Sequence, residues 1–150
     1  MVTKSEMRGI QGWFLKRLGC FSINQLSPSL SALRYAINLI EKGEQLVVFP
    51  EGKINKYGKQ LVLKEGLYRL ARLATKNSSS IIIVPIGIAY SKVPPNFRGE
   101  FCLSFGQPIA IKDYLNFTMR DFNEFLNKKM TQEEEKALKN VGRWICNKLL

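Results

Sequence analysis

The chain has 150 residues, of which 45% are hydrophobic and 23% charged, a composition typical of one globular domain rather than of a disordered chain. Its longest apolar stretch, residues 81–90, is much shorter than the roughly 20 residues of a spanning helix, so we expect no transmembrane segment. The formal net charge of +11 favours partners that carry phosphate, in a nucleic acid, a lipid headgroup or a small molecule.

Two classes of site are not expected. The sequence contains no helix-turn-helix, aromatic RNA-binding signature or zinc-finger spacing, so we expect no nucleic-acid binding. The three cysteines are far apart, and no histidine is present to complete a metal site or to activate a thiol. We therefore predict no metal, no cofactor and only incidental thiols, which suits a reducing, cytoplasmic compartment.

The N-terminal part of the chain predicts two helices with a strand between them. Apolar side chains recur at helical spacing over residues 7–18, and Gly19 ends that segment. Residues 20–23 fit a short strand. Ser27-Pro28 is typical of the start of a helix, and Gly43 is suited to its end.

A strand that ends in a charged turn comes next. Residues 46–49 form a short, continuously apolar run, which predicts a buried strand. The run reaches Pro50, Glu51 and Gly52 and then a polar loop at residues 53–60. In open α/β sheets, ligands bind beyond the carboxyl ends of the strands, so this turn is a candidate binding site.

The remaining chain predicts further alternation of helices and strands. A helix is expected over residues 63–76, a central strand over 81–89 and an edge or flanking strand over 100–105. Two helices follow, the first capped by Thr118 and the second begun by a capping box of Thr131 with Glu134. Strands that alternate with helices predict an α/β sheet with parallel neighbours.

The turn sequence Phe49-Pro50-Glu51-Gly52 resembles the third sequence block of the glycerolipid acyltransferases, the family that contains lysophosphatidic acid acyltransferase. Segments on both sides resemble other parts of that family in the same order. They are residues 2–6, 12–19, 63–66, 84–88 and 105–109. The resemblance covers about residues 2–113.

The resemblance implies a fold and a reaction. The expected fold is the α/β sheet of glycerol-3-phosphate acyltransferases with flanking helices, as a partial acyltransferase domain at residues 1–114 with a C-terminal helical extension at 115–150. The implied reaction transfers an acyl group from acyl-CoA or acyl carrier protein to the hydroxyl of a glycerol phosphate or lysophospholipid. The implied place of work is an anionic membrane surface, where the chain would be peripheral.

The resemblance also implies a substrate-binding set. Glu51 would help to hold the glycerol phosphate acceptor, with Gly52, Lys53 and Lys64 around the phosphate. Taken from the residues alone, Gly52 is equally well a left-handed turn residue, and each lysine is equally well a solvated side chain. For Trp13-Phe14 we favour core packing over contact with a membrane interface.

The family's catalytic block, His-x-x-x-x-Asp, has no counterpart here, because the 150 residues contain no histidine. The family's base takes a proton from the acceptor hydroxyl, and we assign no catalytic residue in this chain. We expect an N-terminally truncated, inactive family member with apolar surface left exposed, which another polypeptide at its N-terminus would complete. The alternative is a non-catalytic remnant, or a subunit that binds lipids or anions. Gln25 and Lys53 stand near positions where the family has phosphate-binding arginines, which leaves the acceptor open.

Overall fold

The structure is a computed structural model that describes residues 2–3, 9–23, 30–52, 62–76, 80–92 and 98–142. The chain divides into two compact units. The N-terminal unit comprises Met1–Ile54 with Lys64–Ser79, and the C-terminal unit comprises Asn55–Leu63 with Ser80–Leu150. Both units contain helices and strands, which confirms the mixed α/β class.

The N-terminal unit begins with a strand, a helix and a parallel strand. These are β1 (Val2–Thr3), α1 (Gly9–Arg17) and β2 (Ser22–Ile23). Val2 pairs with Ser22 and Thr3 pairs with Ile23. Parallel strands need a crossover connection, and α1 supplies it here, so the prediction of parallel neighbours is confirmed for this pair.

Two further helices complete the N-terminal unit. They are α2 (Leu30–Glu41) and α3 (Gly66–Thr75), which pack against each other. The side chains that they bury are mostly small: Ala36 from α2, and Tyr68, Leu70, Ala71 and Ala74 from α3. The predicted start of the first of these helices, Ser27-Pro28, lies outside the described residues.

Glycine ends α1 and α2, as the sequence predicts. Gly19 and Gly43 have positive φ angles of 75° and 79°. The N–H of Cys20 donates to the carbonyl of Leu15 at 2.9 Å, and the N–H of Glu44 donates to that of Leu39 at 3.0 Å. Both helix ends thus have the six-residue hydrogen bond of the Schellman motif. This bond satisfies a carbonyl group that the end of a helix would otherwise leave without a partner.

Two predictions for the N-terminal unit are wrong. Residues 46–49 are not a buried strand, because they join no ladder of the described residues, and Val47 and Phe49 are 64% and 57% exposed. An apolar run becomes a strand only where a partner strand accepts its hydrogen bonds. Trp13 and Phe14 do not pack in a core, since each is more than half exposed.

The C-terminal unit contains two antiparallel strand pairs. One joins β3 (Ile82–Ile83) to β6 (Ile109–Ala110), and the other joins β4 (Ile86–Tyr90) to β5 (Phe101–Phe105). The predicted strand over 81–89 is therefore two strands, separated where Pro85 cannot donate a ladder hydrogen bond. The predicted strand over 100–105 is confirmed as β5. The described strands of this unit pair antiparallel, so the prediction of parallel neighbours is wrong for them.

A single long helix follows in place of the two that were predicted. After a 3₁₀ turn at Ile111–Tyr114, α4 extends over Met119–Asn140. Thr118 caps it as predicted, and its hydroxyl accepts a hydrogen bond from the N–H of Asp121 at 3.1 Å. Thr131 and Glu134 lie inside the helix instead of starting a second one. The 22 residues contain no Gly or Pro, so nothing in them interrupts the backbone hydrogen bonds.

One face of the β4–β5 pair lies directly against α4. Gly87 is buried there, and a Cβ at this position would overlap the backbone of Glu133 and Glu134. Side chains alternate along a strand, so Ser104, the partner of Gly87, also faces α4, whereas Phe101 and Phe105 point to the other face and are more than 60% exposed. The missing side chain of Gly87 therefore sets the distance between helix and sheet.

Candidate functional site

The turn that carries the candidate site is well formed, although no strand leads into it. The N–H of Gly52 donates to the carbonyl of Phe49 at 3.1 Å, which closes a four-residue β-turn. Pro50 is buried at the second position, where its fixed φ favours the turn, and glycine is favoured at the fourth. The side chain of Glu51 is half-buried between them.

A second segment of the chain returns to this turn at Lys64. The backbone N–H of Lys64 donates to the carbonyl of Pro50 at 2.8 Å. Its side chain lies across Gly52, where a Cβ on the glycine would come within 2.8 Å of Lys64 Cε and 3.2 Å of Nζ. The ammonium group is therefore held beside the turn that carries Glu51.

Gly52 is required here for two separate physical reasons. Its φ is +65°, a left-handed conformation that costs most other residues roughly 1–2 kcal/mol. The space that a side chain would need is occupied by the stem of Lys64. The left-handed turn residue is therefore confirmed, and the Lys64 side chain is a close neighbour of it; the approach of the backbone to a phosphate stays a prediction.

The N-terminal end of α3 adds a third component. α3 begins at Gly66, two residues after Lys64, and its N-cap residue Glu65 makes no capping hydrogen bond with its side chain. That carboxylate instead contacts the Arg69 guanidinium at 2.8 Å. The first turn of a helix presents backbone N–H groups and the positive end of the helix dipole, which favour an anion.

We refer to Pro50, Glu51, Gly52, Lys64 and the first turn of α3 as the Pro50–Lys64 corner. The corner lies entirely within the N-terminal unit. It combines one ammonium group and a helix N-terminus, which attract an anion, with one carboxylate, which accepts hydrogen bonds from hydroxyl groups. This arrangement suits a small molecule that carries both a phosphate and a hydroxyl.

Three of the four predicted binding residues come together in the corner: Glu51, Gly52 and Lys64. The fourth, Lys53, lies outside the described residues. The contribution of α3 was missed in the sequence, because the helix was expected to begin at residue 63 and not beyond Lys64. The residue that indicates the later start of α3 is Gly66, because glycine has low helix propensity and suits a helix terminus better than its interior.

A second polar cluster, also missed, lies in the C-terminal unit. Glu133 is only 6% exposed. Its carboxylate accepts hydrogen bonds from Lys136 Nζ at 2.7 Å and from Ser104 Oγ at 2.6 Å. These two hydrogen bonds lower the pKa of Glu133, and the hydrogen bond with Lys136 is the larger cause. The signal was its alignment with Phe122, Leu126 and Ala137 on one helical face.

The described residues show neither a metal site nor a membrane span. Among the described residues, no group of three or more His, Cys, Asp and Glu side chains is arranged to hold a metal ion. Cys20 and Cys102 are free thiols, and Cys146 lies outside the described residues. No helix in the described ranges combines the length and apolar character needed to cross a bilayer.

Comparison with known protein families identifies the chain's relatives. The family described as Acyltransferase matches residues 1–89, which is more than half of the chain and includes the Pro50–Lys64 corner. The chain belongs to the acyltransferase family. The resemblance carried by Phe49-Pro50-Glu51-Gly52 and its neighbours is therefore confirmed.

Two curated acyltransferases are similar to this chain. The 1-acyl-sn-glycerol-3-phosphate acyltransferase of Streptococcus pneumoniae (strain ATCC BAA-255 / R6) is 30% identical over 110 residues, which cover 69% of this chain and 37% of that protein. The protein of the same name from Bacillus subtilis (strain 168) is 23% identical over 134 residues, 83% of this chain and 62% of its own length. The matches thus span between about a third and two thirds of these relatives. No solved structure matches the chain.

Proposed function

We propose that this chain supplies the acceptor-binding part of a glycerolipid acyltransferase. The acceptor is a glycerol phosphate or a lysophospholipid, and the donor is an acyl-CoA or an acyl carrier protein. Residues 1–114 would be the acyltransferase domain, with a sheet of the glycerol-3-phosphate acyltransferase type, and 115–150 its C-terminal helical extension. The observation that carries the proposal is the position of Lys64 beside the turn of Glu51 and Gly52.

Each component of the corner has a role in this proposal. Lys64 and the first turn of α3 bind the acceptor phosphate through charge and backbone N–H groups. Gly52 leaves room for the Lys64 side chain beside the turn, and Glu51 accepts a hydrogen bond from a glycerol hydroxyl. The names of the two relatives support this assignment, since both are called 1-acyl-sn-glycerol-3-phosphate acyltransferases. Lys53, next to Gly52 in sequence, is proposed as a second phosphate contact.

Acyl transfer also requires a proton acceptor that the corner does not provide. The hydroxyl oxygen forms a bond to the thioester carbonyl carbon, the carbon–sulfur bond breaks, and the hydroxyl proton passes to a base. Histidine has an unperturbed pKa suited to this role near neutral pH, and the 150 residues contain none. We propose that the chain by itself binds the acceptor without turning it over, and that the base comes from outside these residues.

The membrane surface is the proposed place of work. The lysophospholipid acceptor resides in a bilayer, and a net charge of +11 attracts the chain to anionic lipid headgroups. The chain would then meet its acceptor as a peripheral protein.

Acceptor binding is the first test, and α3 offers a matched pair of lysines for it. Lys64→Met removes a charge before the helix, and Lys76→Met removes the same charge at its other end, where Lys76 is the C-cap residue. We expect Lys64→Met to weaken glycerol 3-phosphate binding at least about tenfold, as measured by calorimetry, because it removes a charge-assisted hydrogen bond. Lys76→Met should bind like the unmodified chain. Equal losses in both variants would contradict the proposal.

Glu51 is tested by comparing two ligands. Glu51→Gln should weaken binding of glycerol 3-phosphate, which has hydroxyl groups to donate, and should leave inorganic phosphate binding unchanged or stronger. A parallel loss for both ligands would instead assign Glu51 to the shape of the turn. The assay for turnover uses lysophosphatidic acid with an acyl-CoA or acyl carrier protein donor. We expect none, and turnover that Glu51→Gln abolishes would overturn the proposed inactivity of the isolated chain.

The same measurements address the alternative of a non-catalytic protein that binds lipids or anions. Such a protein would bind inorganic phosphate and glycerol 3-phosphate equally well, and Glu51→Gln would not change its preference. A glycerol-specific corner that gains activity when the family's histidine-bearing segment is supplied would exclude that alternative.

A further inference from the structure

Helix α1 displays an apolar and aromatic face away from the rest of its unit. Ile10, Trp13, Phe14 and Arg17 follow one another at intervals of three and four residues, so they share one face of the helix. Ile10 is 88% exposed, and Trp13 and Phe14 are 58% and 56% exposed. Gly12, on the opposite side, is the buried residue of α1. α1 thus packs against its unit on the side of Gly12, and its large apolar side chains point outwards.

Basic side chains lie at the C-terminal end of this helix. Lys16 and Arg17 form the last turn of α1, and the Arg17 guanidinium lies 4.7 Å from the centre of the Trp13 ring. Residues 7–40 contain four Arg and Lys residues and no Asp or Glu. An aromatic surface that lies within such a stretch complements an anionic partner in charge as well as in polarity.

These two properties distinguish a lipid surface from a protein partner. A second copy of the chain would bring the same basic residues against this face, and like charges repel each other, whereas an anionic lipid surface neutralises them. Helices that lie in the plane of a membrane interface combine Trp, Phe and Leu with Lys and Arg, and long basic side chains extend towards the headgroups. Leu18, directly after α1 and 63% exposed, extends the apolar area.

We propose that α1 is the element through which this protein lies on an anionic membrane, with Ile10, Trp13 and Phe14 in the interfacial region and Lys16 and Arg17 among the headgroup phosphates. The inference rests on the proposed function in one respect, namely that the membrane is where the lysophospholipid acceptor is found. It assigns to α1 a role separate from acceptor binding, since α1 contributes no residue to the Pro50–Lys64 corner.

The aromatic part of the proposal is tested with the full chain and vesicles in a sedimentation assay. Trp13→Ser with Phe14→Ser should lower the affinity for phosphatidylglycerol-containing vesicles at least about tenfold, because interfacial binding depends on buried apolar area. The matched control is Phe101→Ser with Phe105→Ser, which removes two aromatic side chains of similar exposure from β5. The control should retain binding. Equal losses in the two double variants would overturn the proposal.

The electrostatic part has its own pair of variants. Lys16→Gln with Arg17→Gln should lower the affinity about 30-fold, since each cation near an anionic surface contributes a factor of about five. Lys112→Gln with Lys128→Gln makes the same change in net charge at exposed positions of the C-terminal unit and should cost much less. Salt should weaken binding of the unmodified chain. Equal binding to pure phosphatidylcholine vesicles would contradict an anionic partner.

Two further results separate this proposal from others. The α1 variants should bind soluble glycerol 3-phosphate as the unmodified chain does, so a failure of vesicle binding is distinguishable from a failure of the corner. A protein partner for the α1 face predicts a different outcome. If Trp13→Ser with Phe14→Ser converts an oligomer to a monomer in analytical ultracentrifugation and leaves vesicle binding intact, a second copy of the chain covers the face and the proposal is wrong.

Discussion

Helices α1 and α4 differ in the exposure of similar aromatic side chains. Phe122 of α4 is fully buried against its unit, whereas Phe14 of α1 is more than half exposed. Both occupy apolar positions at helical spacing, so periodicity alone assigns both to a core. The difference lies in what surrounds each helix. α4 packs along the β4–β5 pair, whereas α1 buries only the side that carries Gly12. An apolar stripe therefore identifies a face that avoids water without identifying what covers it.

We expect the largest difference in stability between changes in α1 and in α4 from a pair of Phe→Ala substitutions. Phe122→Ala should lower the free energy of unfolding by about 3–5 kcal/mol, because it leaves a cavity in a closed core. Phe14→Ala should cost no more than about 1 kcal/mol, since its side chain is already largely in water. Urea denaturation measures both. Similar costs would mean that the exposed face of α1 is covered in solution.

The next effect tests how closely α4 approaches the sheet. Gly87→Ala should cost about 3 kcal/mol, because the added Cβ overlaps the backbone of α4, which cannot move as a flexible side chain can. Gly66→Ala is its control, since nothing lies within 4 Å of the added carbon. The control should leave thermal stability unchanged or slightly higher, as alanine favours a helix. If Gly87→Ala proved neutral, the helix and the strand would be further apart than described.

A smaller effect belongs to the turn in the N-terminal unit. Gly52→Ala should cost roughly 1–2 kcal/mol for its left-handed φ. Gly52→Asn tolerates that conformation better but still displaces the Lys64 side chain. We therefore expect Gly52→Asn to recover part of the lost stability and none of the glycerol 3-phosphate binding. Recovery of both would show that the space over Gly52 is not needed.

The smallest expected effect is a change with pH in the contribution of Glu133 to the stability of the fold. Hydrogen bonds from Lys136 and Ser104, with the charges of Lys136 and Lys129, hold its pKa below the ordinary value. A carboxyl group with a lowered pKa stabilises the folded state above its unfolded pKa of about 4.3, and this contribution is lost as the pH falls further. The stability difference between the unmodified chain and Glu133→Gln should therefore shrink below about pH 4.3. A difference that does not change with pH would exclude this linkage.

The sequence predicted those parts of the fold that depend on local chemistry. The ends of α1 and α2 at Gly19 and Gly43 were predictable, because glycine adopts the left-handed conformation that a Schellman motif needs. The cap at Thr118 was predictable for a similar reason, since its hydroxyl satisfies a backbone N–H three residues away. The candidate site followed from Glu51 and Gly52, whose turn is closed within four residues.

Predictions that depend on distant partners failed. Residues 46–49 have the apolar composition of a buried strand, but composition does not supply a neighbouring strand. Thr131 and Glu134 carry the signature of a helix start, yet a helix without Gly or Pro continues through it. Glu133 was overlooked, because its burial depends on Ser104, 29 residues earlier in the chain. A tertiary partner decides the cases of residues 46–49 and Glu133, whereas the continuous helix through Thr131 has a local cause that the capping signature concealed.

The hydrogen bond between Lys64 and Pro50 has a consequence for how this protein family can vary. It joins the two ends of the intervening segment, so these two ends are held together by a contact of their own. Closing a loop of twice the length costs only about 0.6 kcal/mol more in chain entropy. Insertions between these two anchor points should therefore cost little stability, and they would place new side chains next to the corner that we propose binds phosphate. If the proposed function holds, this segment is where selectivity for different acceptors would change without a new scaffold.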